Sequence, residues 1–309
     1  MRKKLVLPSQ FIKFFVFLTL LFFSFSCAQF RMPILRAPQF IPPDTKYVEK
    51  VAQGETFPLS TGELFIPDYF KSSPEINKVN VFIHFHGPMW LSKEHFYYAH
   101  PENSIHINIS FQGLSSVYSK PFSDETLFQK ILDEAIEKTK EKVGLKELTI
   151  DKIFLTSFSA GFGAVKEILK KEEYYDKIEA LIMADSIYAG YVDEEKLRVA
   201  DAVDMKDFLR FAQESAIGKK TMFVSHSYID TKTYASTVDT ANFLIAGIGE
   251  KRKKVREYNS RGMKLISRCD KGNFFVRGYE GDTAQMHMAH LYAIGEFLKF
   301  ILQNNQPKL

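Results

Sequence analysis

Ile153-Phe154-Leu155-Thr156-Ser157-Phe158-Ser159-Ala160-Gly161-Phe162-Gly163-Ala164 is an apolar run that breaks at a serine set among small residues and then takes on helical character. A strand that turns this abruptly into a helix holds its apex residue at strained backbone angles. The residues two before and two after the apex must then be small, and Ser157 and Gly161 meet that demand around Ser159. A short S-x-S-x-G equally suits a plain turn between a buried strand and a helix, so the rest of the chain has to decide.

Working outward, strand and helix patterns alternate. Thr56–Leu59 and Glu63–Ile66, joined through Ser60-Thr61-Gly62, read as an antiparallel hairpin. Val79–Phe85 and Ile105–Ser110 read as strands, and Leu127–Lys142 as an amphipathic helix with Leu127, Ile131, Ala135 and Ile136 on one face. Ile153–Thr156 is the strand before the turn, and Ala164–Lys171 continues the helix after it. Ala180–Ala184 is short and wholly apolar, as a buried parallel strand tends to be. Residues 191–219 suit a helical crossover or a cap. Thr221–Ser225 and Phe274–Arg277 supply two more strands, and Leu291–Leu302 a closing helix. The alternation implies an α/β protein, with a doubly wound, mostly parallel sheet, helices on both faces, and ligands at the carboxyl ends of the strands.

The turn resembles the nucleophile elbow of the α/β-hydrolase family, whose signature is G-x-S-x-G; Ser157 stands where the family has its first glycine. The resemblance implies Ser159 as nucleophile, followed in chain order by an acid and a histidine. Only His226, His287 and His290 lie downstream. His287 and His290 fall where the family's base belongs, between the last strand and the last helix, and share a helix face. His287 lies nearer the loop Gly278–Asp282 and is the preferred general base, with His290 the alternative. The preferred acid is Asp185, directly after the strand Ala180–Ala184; Asp230, several residues past the next strand, is the alternative. Oxyanion donors are expected from the Ala160 backbone N–H and from Gly87, Met89 or Trp90 in the loop after Val81-Phe82-Ile83-His84-Phe85-His86-Gly87, since Pro88 has no N–H.

Two other readings stay open. His84 and His86, two apart on a strand, have a spacing that metallohydrolases use for metal ligands. The aromatics Trp90, Phe96, Tyr97 and Tyr98 fit a non-catalytic binding protein that keeps the fold. The leading expectation is a serine hydrolase acting on an ester or related acyl bond of a small molecule or polymer, with no cofactor and no bound metal.

Composition sets the address. Arg2, Lys3 and Lys4 precede the apolar stretch Phe14–Phe25, and Ser26-Cys27-Ala28 then matches a signal-peptidase site, so 1–28 reads as a signal peptide and 29–46, with four prolines, as an extended lead-in. The protein is expected to be exported, periplasmic or extracellular; membrane association follows only if Cys27 is lipidated. Without Arg2, Lys3, Lys4 and Lys13, the remaining 37 basic residues balance 37 acidic ones, which argues against a nucleic-acid partner. The basic cluster Lys251–Lys254 with Arg256 reads as a solvated surface loop. Cys269 is left without an intramolecular partner, so stability must come from an apolar core. Residues 47–309 are long enough for one domain, with a cap-like insertion around 187–220.

Overall fold

A computed structural model describes residues 49–71, 77–193 and 197–304. The expected signal peptide and lead-in lie outside the described residues. The strands are β1 (Gly54–Pro58), β2 (Glu63–Pro67), β3 (Lys78–Phe85), β4 (Ser104–Ile109), β5 (Thr149–Phe158), β6 (Ile178–Ala184), β7 (Tyr191–Asp193), β8 (Leu197–Ala200), β9 (Thr221–His226), β10 (Lys253–Tyr258), β11 (Lys264–Lys271) and β12 (Phe274–Tyr279). The helices are α1 (Met89–Ala99), α2 (Ser116–Phe122), α3 (Leu127–Val143), α4 (Phe162–Leu169), α5 (Glu172–Lys177), α6 (Ala202–Ala216), α7 (Thr237–Gly247), α8 (Ala284–Tyr292) and α9 (Ile294–Asn304).

Among the described residues, ten strands form one sheet in the order β1-β2-β4-β3-β5-β6-β9-β12-β11-β10. β3, β4, β5, β6, β9 and β12 run parallel, while β1–β2, β2–β4 and the β12–β11–β10 edge are antiparallel. Both faces of the parallel part are covered, which is why its strands are apolar almost throughout rather than alternating. On β3, Val79, Val81, Ile83 and Phe85 join one core with α3, α4, α6 and α7. Phe82 points the other way, into a second core with α1, α8 and α9. Across that second face Phe82 stacks on Phe154 of β5, ring centroids 4.3 Å apart. Cys269 is a free, buried thiol.

Three local readings need correction. Residues 191–219 are not helical throughout: Tyr191–Asp193 and Leu197–Ala200 pair as a separate two-stranded sheet before α6 begins. Val192 and Val199, β-branched, favour the extended backbone there. α6 itself lies against β9 and serves as the crossover into it. The closing helix is two helices, interrupted at Ala293, and His287 and His290 belong to the first of them. The basic cluster is no loop: Lys253, Lys254 and Arg256 lie on the exposed edge strand β10, an edge that charge protects from further pairing. On its partner β11 the buried positions are Leu265, Ser267 and Cys269, and a register shift between Leu265 and Ser267 lets Leu265 join the second core while Cys269 joins the first.

Candidate active site

The register of the parallel strands levels their carboxyl ends. Phe85 pairs with Ser157, Phe158 with Ala184, and Ala184 with Ser225. Ser159 and Asp185 are therefore each one residue beyond adjacent strands, and both turn out of the sheet at positive φ, 46° and 45°. Such angles are uncommon for side chains with a Cβ and persist only where surroundings enforce them. The elbow is enforced sterically: a Cβ on Gly161 would lie 2.5 Å from the Phe85 carbonyl oxygen. It is also tied down by hydroxyls. Ser157 Oγ lies 2.6 Å from Ser186 Oγ, and Ser186 Oγ donates to the Ser159 carbonyl at 2.9 Å.

Asp185 is fully buried, and a bare carboxylate there would cost several kcal/mol, of the order seen for buried ions. Its oxygens are instead matched by donors. Oδ1 accepts from the Ser227 N–H at 2.8 Å and from the Thr237 hydroxyl, and Oδ2 lies 2.7 Å from His287 Nδ1. Thr237 opens α7, whose start is fixed by a capping box between Ser236 and Asp239. Burial by itself raises the Asp185 pKa; nearby His290, the His287 contact and the Thr237 hydroxyl together outweigh it and hold the group well below the usual carboxylate range. An ionised Asp185 can only accept, so His287 Nδ1 carries the hydrogen, and in the neutral ring Nε2 is the nitrogen with the lone pair.

His287 and Ser159 line the same cavity, of about 680 Å³, with Ala160, Leu114, Phe162, Tyr188, Ile229 and Tyr234 among its walls. Ser159 and His287 make no direct hydrogen bond to each other among the described residues. Contacts of this kind commonly tighten only around substrate. Lys166 and Asp204 also line the cavity as an ion pair of 2.6 Å, and Asp204 accepts from the Gly190 N–H at 2.8 Å.

The structure separates the other candidates. His290 is wholly buried, its Nδ1 2.8 Å from Ser225 Oγ, and burial lowers its pKa to about 4. Asp230 lies in the connection after β9, where its carboxylate accepts from the Lys232 N–H. Gly87 and Met89, after β3 and at the start of α1, are not among the residues lining the cavity, whereas Ala160 is. Trp90 likewise lies on α1, and its ring faces Lys50 Nζ, 5.1 Å from the centroid.

His84 and His86 do not share a face. β3 ends at Phe85, and His86 turns away at φ 72°. His84 Nδ1 meets Thr156 Oγ1 and His86 Nδ1 meets the Tyr118 hydroxyl, each at 2.8 Å. Among the described residues no group of three or more His, Cys, Asp or Glu could hold a metal ion. His86 instead stacks on Phe158, which lies against the His287 ring at 4.5 Å between centroids. Nothing local in the sequence marks Ser186 as a partner of Ser159, or Ser227 and Thr237 as partners of Asp185, because neighbouring strands of the sheet bring these pairs together. The one local signal, Ser236-Thr237-Val238-Asp239 in the form of a capping box, marks a helix start.

The strand order through β12, the elbow after β5 and the histidine after β12 define an α/β-hydrolase fold. No protein-family model and no curated protein matches the sequence. Among solved structures the chain is similar to the ferric enterobactin esterase of Salmonella typhimurium, with 9% identity, a TM-score of 0.49, and 86% of this chain and 61% of that one covered. It is also similar to the feruloyl esterase module of Clostridium thermocellum complexed with sinapinate, with 13% identity, a TM-score of 0.44, and 85% and 94% covered. A thermostable esterase matches at 14% identity and a TM-score of 0.43, with 83% and 63% covered. The chain spans only about three fifths of the enterobactin esterases it matches.

Proposed function

We propose that the protein is a serine hydrolase that cleaves an ester or related acyl bond with Ser159, His287 and Asp185. One observation carries the reading: Ser159, at the tip of a strained turn, shares a cavity wall with a histidine whose far nitrogen is held by a buried carboxylate. Ser159 Oγ attacks the carbonyl carbon while His287 Nε2 takes its proton. The tetrahedral oxyanion lies against the Ala160 N–H, His287 returns the proton to the leaving alkoxide, and water then releases the acyl group by the same route. Asp185 fixes the ring's tautomer and stabilises the imidazolium without itself being protonated.

The walls formed by Leu114, Phe162, Tyr188 and Tyr234 suit an apolar arm of a small or polymer-borne ester. Export follows from the basic and apolar N-terminal pattern of residues 2–28, and mass analysis of the protein recovered outside the cytoplasm checks it through a new terminus near Gln29. The activity is tested with short acyl esters of p-nitrophenol. Turnover by the wild type should be lost in Ser159→Ala and in His287→Ala, and undiminished turnover in either variant rejects the assignment.

A further inference from the structure

The elbow departs from the family signature at Ser157, and the structure gives its hydroxyl a task. Ser157 and Ser186 are both buried, so neither hydroxyl has bulk water as an alternative partner. Ser186 has a single proton, and it goes to the Ser159 carbonyl oxygen. In the 2.6 Å contact between the two hydroxyls, Ser157 must therefore be the donor. The chain runs in one direction, from Ser157 to Ser186 to the Ser159 carbonyl, and each bond polarises the next.

That carbonyl belongs to the same planar, trans peptide unit as the Ala160 N–H, and the two groups point in opposite directions. Holding the oxygen therefore aims the hydrogen. The carbonyl also accepts from the Phe162 N–H at the start of α4, so it is pinned by two donors on the side away from the aimed N–H. Ser186 directly follows Asp185, so one segment carries both the acid and the clamp on the elbow.

Resting on the reading of Ser159 as nucleophile, we propose that Ser186 is a positioning residue that orients the Ala160 N–H as oxyanion donor, and that Ser157 serves it by fixing the Ser186 hydroxyl. The serine in place of glycine is then a working part of the site. Restoring the family glycine should weaken the enzyme.

The test compares Ser157→Gly, Ser186→Ala and the double variant with the wild type on a short acyl ester, with Ser159→Ala as the control. An oxyanion donor acts on the transition state alone, so kcat should fall about 10- to 100-fold in Ser186→Ala, with KM within about twofold. Ser157→Gly should fall in the same parameter by less. The double variant should be no worse than Ser186→Ala, because Ser157 acts only through Ser186. The pH midpoint of kcat/KM should stay put, since the His287–Asp185 pair is untouched.

Wild-type or higher kcat in Ser157→Gly overturns the proposal, and that variant needs no new side-chain space. A shifted pH midpoint in Ser186→Ala also overturns it, by tracing the loss to Asp185. If Ser159→Ala keeps its activity, the nucleophile reading fails and this inference with it. If Ser159→Ala is inactive while both hydroxyl variants are fully active, this inference alone falls.

Discussion

Gly161 has no room for a methyl group, because the Phe85 carbonyl carbon and oxygen lie 2.8 and 2.5 Å from where a Cβ would sit. Those are backbone atoms of the adjacent strand and cannot swing aside. Gly161→Ala should lower stability by about 1–3 kcal/mol, the usual cost of overpacking, and displace Ser159 as well. A reduced denaturation midpoint together with lost ester turnover checks it. Asp185→Asn keeps the size of the side chain and replaces an acceptor oxygen with a donor NH₂, which favours the wrong His287 tautomer. Its kcat should fall by about 10³–10⁴-fold, as expected when a triad carboxylate becomes an amide. Retention of kcat within tenfold would remove Asp185 from the account. Ser159 and Asp185 stood out as candidates in the sequence because each directly follows an apolar strand, and His287 because it lies between the last strand and the last helix. Ser186 and Thr237 did not, since their partners are 27 and 52 residues away in the chain and meet them only through the order of β5, β6 and β9.

The parallel strands and the antiparallel β1–β2 hairpin were readable. β3, β5, β6 and β9 are short apolar runs bounded by turns, and the prediction of each lies within a few residues of the observed strand. β10 hid because an edge strand faces solvent, so its lysines and arginine imitate a loop. Just before it, Arg252 reaches back toward the site: its guanidinium donates to His226 Nε2 at 2.7 Å and to Asn242 Oδ1 at 2.7 Å. His226 in turn bonds the Ser227 carbonyl, and the Ser227 N–H holds Asp185. A lysine has no planar fork to serve His226 and Asn242 together. Arg252→Lys should therefore cost about 1–2 kcal/mol by leaving a buried acceptor unpaired. Urea unfolding should show a lower midpoint at unchanged slope; an unchanged midpoint would mean the contact is idle.

For the molecule as a whole, buried histidines set the acid limit. Burial lowers the pKa of His84, His106 and His226 to about 3 and of His290 to about 4. In the unfolded chain each would titrate near ~6.5. Between those values the unfolded state binds protons that the folded state refuses, so each histidine withdraws about 1.4 kcal/mol of stability per pH unit as the pH falls below ~6.5. Asp185, with its lowered pKa, adds stability that is present above its unfolded value and is lost as the pH falls through its folded one. Both contributions have the same sign. The urea midpoint should be flat above neutrality and drop steeply between pH 6.5 and 5, whereas a flat midpoint across that range contradicts the buried, neutral assignment.

If Ser159 is an activated nucleophile in the cavity it shares with His287, a phosphonate electrophile should capture it. Treating the folded protein with a fluorophosphonate and mapping the adduct by peptide mass spectrometry tests this most directly. One modification is expected, on Ser159, absent in Ser159→Ala and strongly slowed in His287→Ala. An unlabelled wild type, or equal labelling of Ser159→Ala, would contradict it.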